Sequence, residues 1–319
     1  MENVIKPIVY GARIKDNNIL ENSTSGGLFT AVSDLIIKNG GVVCGAIYDS
    51  NYEVKHVITN SKDIRDKMRG AKYVQSDMGN VISEILSNLK ENRVVLFSGT
   101  PCQVVAVKNV AKAKKLDSNL ITMDIICHGV PSPQVFKKHI ELIEQKYGLI
   151  KSYLFRDKKK GWRGQNVTII TEKGVVPDKD AKIFTSLYFN SLIIRPSCFE
   201  CPFSSVKREG DISIGDFWGI SKEKNEFDDN LGISQVMLNS KKGIEIFNDI
   251  KKDLEFFEVK TDSFIQPNMQ KPTLKNECSN SFWNKYYKKG LKNSRLFLET
   301  LNYRLLPYRI WNKLSRMRK

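Results

Sequence analysis

The chain has 319 residues, 41% hydrophobic and 27% charged, which is ordinary for a globular protein and enough to bury a core in more than one unit. Its net charge of +16 is uneven: residues 281–319 carry eleven Lys/Arg against one acid, Glu299, which leaves +6 on the other 280 residues. With no apolar segment at the N-terminus to serve as a secretory signal and no apolar run of about 18 residues to cross a membrane, a cytoplasmic protein is expected, whose six cysteines read as thiols or metal ligands rather than disulfides.

In chain order, "TSGGLFTAVSDLIIKNGG" predicts a helix capped by Thr24 or Ser25 and stopped at Gly40–Gly41, with Leu28, Val32, Leu35 and Ile36 on one face. "VVCGAIYD" predicts a buried strand and "EVKHVITN" its antiparallel neighbour. A helix in "MGNVISEILSNLKENR", a buried strand in "VVLFSG" and a helix entered through Pro101 in "TPCQVVAVKNVAKAK" follow. "NLITMDIIC" reads as a third apolar strand, and "PSPQVFKKHIELIEQKYG" as a helix opened by prolines and ended by Gly148. After Gly148 the rhythm changes: "IKSYLFRD" and "QNVTIITEKGVVP" predict strands, and "GISQVMLNSKKGIEIFNDIKKDLEFFEVK" predicts strand, helix and strand. The expected fold is α/β, an N-terminal three-layer-like mixed sheet with an α+β C-terminal portion. The expected units are 1–95, 96–270 and a basic tail, 271–319.

The chemistry concentrates in "RPSCFECPFSSVKREGDISIGDFWG", where Cys198 and Cys201 form half of a metal site. In α/β sheets ligands collect beyond the carboxyl ends of the strands, and Cys102 and Cys127 lie there, after "VVLFSGTP" and at the end of "LITMDII". The candidate tetrad is therefore Cys102, Cys127, Cys198 and Cys201. One C-x-x-C with two singletons departs from the paired knuckles of structural zinc and suits a [4Fe–4S] cluster, whose ligands come from separate loops. The residues alone leave cluster, zinc and no metal open. His128, beside Cys127, is either a ligand or a loop histidine; Cys44 reads as a core residue and Cys278 as a loop thiol.

"STSGG" at 23–27 and "FSGTPCQ" both place Gly, Ser or Thr at a helix N-terminus, which either receives a phosphate or simply caps the helix; neither matches a dinucleotide or P-loop fingerprint. "RGAKYVQS" sets Arg69 near Lys72, facing a phosphate or solvent. Asp211 and Asp216 point to opposite faces of a regular strand, so only one, Asp216 beside Trp218, is expected to face a cofactor. No nucleophile–base pair stands out around His56, His128 or His139.

"TSGGLFTAV", "MRGAKYVQSDMG", "VLFSGTPCQ", "DIICHGVPSP", "FRDKKKGW", "RPSCFECPF", "GDISIGDFWG" and "GISQVMLN" occur in the order found in the coenzyme F-420 hydrogenase/dehydrogenase beta-subunit family, which the chain resembles over roughly residues 8–245. The resemblance implies an iron–sulfur flavoprotein that passes electrons between a [4Fe–4S] cluster and FAD, to or from a deazaflavin or another small-molecule redox substrate. Many bacterial members sit in polysaccharide-synthesis settings. By the same resemblance Cys102, Cys127, Cys198 and Cys201 are cluster ligands, and Ser25, Gly26, Gly27, Lys72, Gly99 and Thr100 contact FAD, with Lys72 stabilising an anionic reduced flavin. Where many members carry a ferredoxin-like segment, this chain has 24 residues ahead of Ser25 and no cysteine among them. A ferredoxin-like electron-transfer protein in trans is therefore expected. The competing expectation is a non-catalytic scaffold of a glycan-assembly complex, held to an anionic membrane surface by residues 281–319. Nucleic acid is not an expected partner, because the charge comes with no recognised motif.

Overall fold

A computed structural model describes residues 7–164 and 166–293; the basic stretch expected to meet an anionic surface lies, from residue 294 on, outside the described residues. Strand β1 (Ile8–Ile14) and the short helix α1 (Asn17–Glu21) open the fold. β1 is absent from the predicted strands because Gly11 and Arg13 interrupt its apolar run. Helix α2 (Leu28–Lys38) begins later than its expected cap: Gly27, at φ 82°, is the N-cap. The hydroxyls of Thr24 and Ser25 are engaged elsewhere, one accepting the Ala71 N–H at 2.9 Å and the other donating to the Ile233 carbonyl at 2.9 Å.

The predicted alternation then follows. Strands β2 (Val42–Tyr48) and β3 (Val54–Thr59) pair antiparallel; short helix α3 (Lys62–Asp66) leads on to helix α4 (Val81–Lys90), which buries Val81, Ile85 and Leu89. Strand β4 (Val95–Gly99) runs into helix α5 (Pro101–Ala113) through the extended N-cap Thr100, with Pro101 in the first turn, where its missing N–H leaves no donor unpaired. Strand β5 (Leu120–Ile125) and helix α6 (Pro133–Tyr147) complete this half, and α6 stops at Gly148, whose φ of 82° favours glycine.

Beyond Gly148, strands β6 (Ile150–Leu154), β7 (Thr168–Thr171) and β8 (Gly174–Val175) form a separate antiparallel sheet, followed by helices α7 (Asp178–Ala181) and α8 (Ile183–Phe189). The chain then returns to the large sheet with strand β9 (Ile212–Asp216), helix α9 (Ile220–Glu223), strand β10 (Ser234–Leu238), helix α10 (Lys241–Ile250) and strand β11 (Leu254–Glu258); helix α11 (Ser279–Lys289) packs last.

The large sheet has eight strands in the order β11-β1-β10-β9-β5-β4-β2-β3. Its middle, β9-β5-β4-β2, is parallel and its flanks are antiparallel. Successive residues face opposite layers: Val43 and Leu96 pack with α2 and α10, while Val42, Cys44, Val95 and Phe97 pack with α4 and α5. The result is an α/β fold with helices on both faces of a mixed sheet. The cut expected between 95 and 96 falls at the first residue of β4, and strands from both sides of it interleave in this one sheet. The small sheet, α6, α8 and α11 surround a separate aromatic core centred on Phe136, Phe155 and Phe184.

Candidate functional site

Parallel pairing turns the carboxyl ends of β2, β4, β5 and β9 to one side, and a cavity of about 680 Å³ opens there. That is where an open α/β sheet collects its ligands, and the volume lies in the usual range for small-molecule sites. Its lining comes from the 23–27 loop, Gly45 and Ala46 of β2, His56 of β3, residues 68–74, Ser98 to Thr100, the segment 125–130 and Ile214 to Trp218.

The glycines of the 23–27 loop do different things. Gly26 is pressed against β1 and β10: a Cβ on it would stand 2.3 Å from the Ala12 carbonyl and 2.7 Å from the Ser234 nitrogen. Gly27 supplies the left-handed turn into α2 and lines the cavity with Ser25. Lys158 holds the loop from outside, its Nζ donating to the Leu20 and Ser25 carbonyls at 2.7 Å each. Of the residues expected to contact FAD, Ser25, Gly27, Lys72, Gly99 and Thr100 line the cavity. Gly26 instead seats the loop.

Lys72 donates to the carbonyls of Met68 and Arg69 at 3.3 and 3.0 Å and lies 5.5 Å over the Tyr48 ring. Burial pushes its ammonium down to about 7. Arg69 is engaged with Thr30 Oγ1 at 3.0 Å and Asp66 at 2.7 Å. His56, a lining residue not assigned from the sequence, contacts the Ser98 carbonyl through Nε2 at 3.1 Å, while its buried Nδ1 has no partner among the described residues. Burial holds it below the usual imidazole range, and the nearby Lys72 charge adds to that.

The two aspartates of the β9 segment divide as the strand period requires. Asp211 is buried in the fold, accepting from the Thr122 N–H at 2.8 Å, Thr122 Oγ1 at 2.7 Å and Ser240 Oγ at 2.6 Å. Asp216 faces the cavity, where Arg156 Nη1 donates to it at 2.9 Å and Trp162 Nε1 at 3.2 Å. Arg156 also donates to the Trp162 carbonyl at 2.9 Å. Sequence reasoning gave Arg156 and Trp162 no role, although both lie in "FRDKKKGW".

Cys102 opens α5 beside the cavity, and Cys127 follows β5 on the cavity wall. Main-chain pairing brings the C-x-x-C loop to Cys127: the Arg195 N–H donates to the Val130 carbonyl at 2.9 Å, and Pro131 bridges Ile194. Beneath, the buried Arg208 guanidinium ties both segments together, donating to Asp124 at 3.0 Å and to the carbonyls of Ile125, Phe203 and Ser205. Cys127 lies within electrostatic reach of Cys198, Cys102 and Cys201, and Cys198 of Cys201 and Cys102. Burial pushes the Cys127 thiol up to about 12; the Gly129 N–H, 3.3 Å from the sulfur, opposes this, and Cys198, Cys102 and Cys201 add to it. Among the described residues, however, no group of three or more His, Cys, Asp or Glu stands in metal-binding geometry. Four thiols dominate the donor set; beside them His128 turns Nδ1 to Thr273 at 3.2 Å and Asn268 at 3.4 Å, while its buried Nε2 has no partner among the described residues. Burial opposes ionisation of Cys127 and Cys198, and thiol donors of this kind fit a cationic centre whose charge would offset that cost. Cys44 is fully buried in the sheet, and Cys278 sits at the start of α11.

A family model that describes the carboxy-terminal part of the coenzyme F420 hydrogenase/dehydrogenase beta subunit matches residues 92–262, a span that holds Gly99, Thr100 and all four of these cysteines. Among solved structures the chain is similar to one from the xenon-derivatized F420-reducing [NiFe] hydrogenase complex of Methanosarcina barkeri, with 17% identity, a TM-score of 0.55, and 94% of this chain and 93% of that chain covered. At that identity the likeness is one of fold. No curated protein matches the chain.

Proposed function

The chain belongs to the coenzyme F420 hydrogenase/dehydrogenase beta-subunit family, whose members are electron-transferring oxidoreductases, and from that premise we propose that it is a flavin-dependent iron–sulfur oxidoreductase. FAD takes the cavity, a [4Fe–4S] cluster takes Cys102, Cys127, Cys198 and Cys201, and the small-molecule redox substrate is a deazaflavin of the F420 type or another organic acceptor. The observation that carries this reading is the position of Cys127, which lines the cavity and lies within electrostatic reach of the other three thiols. A bound flavin would take electrons in pairs from an organic substrate and pass them on one at a time, and an iron–sulfur cluster would carry them singly.

The protein's own groups supply binding and charge. The turns at Gly27 and Thr100 bring the N-termini of α2 and α5 to the cavity, where the helix dipole favours an anionic phosphate. Lys72 places a cation in a water-poor wall, where it favours an anionic ring or phosphate. Arg156, Asp216 and Trp162 form a fixed, mutually bonded polar floor. The matched structure belongs to a complex, which supports a protein electron-transfer partner, ferredoxin-like in our reading.

Anaerobic purification with iron, sulfide and flavin quantitation tests the reading. About four irons with matching sulfide and one FAD per chain are expected. Zinc in place of iron, or neither iron nor flavin, overturns it.

A further inference from the structure

Thr100 stands where the cavity meets the cysteines. It lines the cavity, and its Oγ1 lies 3.1 Å from Cys102 Sγ and 3.0 Å from Gln103 Oε1. The Gln103 amide is fixed at both ends: Oε1 accepts the Thr100 N–H at 3.0 Å and Nε2 donates to Ser76 Oγ at 2.9 Å. A hydroxyl has one proton to donate. Beside a thiol, Oγ1 accepts from sulfur and donates to Gln103. A metal-bound sulfur is only an acceptor, so the same hydroxyl then turns its proton to Cys102. Gln103 Oε1 keeps the Thr100 N–H in either arrangement, so the change leaves no acceptor bare.

The other sulfurs with a donor differ in kind. Cys127 receives the Gly129 N–H at 3.3 Å, and Cys198 receives the N–H of Val130. Both are main-chain groups that no side-chain substitution removes. Cys102 is the exposed member of the four, and its donor is a side chain.

We infer that Thr100 is a positioning residue for the redox centre: its hydroxyl donates to the Cys102 sulfur once that sulfur is a cluster ligand, and raises the cluster's reduction potential. The inference rests on the cluster assigned to these cysteines above. A hydrogen bond to a ligand sulfur stabilises the more negative, reduced cluster over the oxidised one, so its loss lowers the potential.

The test compares the full-length wild type with Thr100→Val and Thr100→Ser, all purified anaerobically, by iron content and by a redox titration followed by electron paramagnetic resonance. Equal iron in all three, a lower potential in Thr100→Val and an unmoved potential in Thr100→Ser are expected. Should Thr100→Val fail to fold, Thr100→Ala takes its place in the same titration. Iron retained with no change of potential in Thr100→Val, or in Thr100→Ala where it stands in, overturns the inference and leaves the cluster standing. Wild type without iron overturns both.

Discussion

The aromatic core behind α6 and the cavity beyond the parallel strands both bury titratable side chains, with opposite consequences. In the core, Phe136 is packed by Phe184, Tyr153 and Phe155 with ring centres 5.0 to 5.6 Å away, and His139 lies flat against Phe184 at 6.0 Å. His139 Nε2 and the Tyr48 and Tyr153 hydroxyls have no partners among the described residues, and burial pushes His139 down to about 4. In the cavity wall, burial pushes Lys72 down to about 7, yet its Nζ is aimed by main-chain carbonyls beside open space. A displaced ionisation marks a candidate site where there is room for a ligand and other polar groups converge; without them it is only the mark of burial. His139 is displaced by burial alone, with no open space or converging polar groups beside it, and has the weaker claim.

That contrast breaks most visibly at the sulfur rim. Cys127→Ala is expected to abolish iron binding while the far-ultraviolet circular dichroism and the unfolding midpoint stay near those of the iron-free wild type. Phe136→Ala should do the reverse, costing about 3–5 kcal/mol in urea unfolding for a fully buried ring, with iron and flavin per folded chain unchanged. A folded Phe136→Ala protein without iron would mean that the two regions are one functional unit.

The core also has a pH signature. His139 ionises near 4 in the folded chain against 6.5 in the unfolded one, so the unfolded state takes up its proton first as pH falls. Stability associated with this residue is whole above about pH 6.5 and declines towards pH 4, by about 3 kcal/mol in total. Urea unfolding of wild type and His139→Gln across that interval should show the variant with the flatter pH dependence; parallel curves would deny the burial.

The sequence shows the parallel centre of the sheet plainly, because β2, β4 and β5 are short apolar runs separated by amphipathic helices with Pro101 and Gly148 at their ends. It shows the cysteines too, as thiols placed after strands. What it conceals is set by distant partners. The start of α2 is decided by Ala71 and Ile233, 47 and 208 positions from the hydroxyls they hold, so local capping rules point to the wrong residue. Arg156 and Trp162 acquire their place through Asp216, 60 and 54 positions away. The pairing across position 95 is hidden for the same reason: β1 sits between β10 and β11, which no local pattern announces.

The finest discrimination between the two regions lies in Lys72. Without ligand its ammonium is half ionised near pH 7. An anionic group in the cavity favours the charged form and raises that value, so protonation and binding are linked. Affinity for FAD should then be greatest below pH 7 and should fall as pH rises, levelling off once the ligand-bound ammonium also loses its proton. A loss of about tenfold corresponds to a rise of one pH unit in the bound state. Lys72→Met should bind FAD as weakly as wild type at high pH, with no slope through pH 7, which fluorescence quenching on flavin-free protein measures directly. Lys158 complicates the upper range, since burial pushes it down to about 8 while it holds the Leu20 and Ser25 carbonyls at the base of the turn. A slope centred near 8 that survives in Lys72→Met therefore belongs to the loop. A slope near 7 that survives there would put Lys72 in the same class as His139, buried by the fold without serving the cavity.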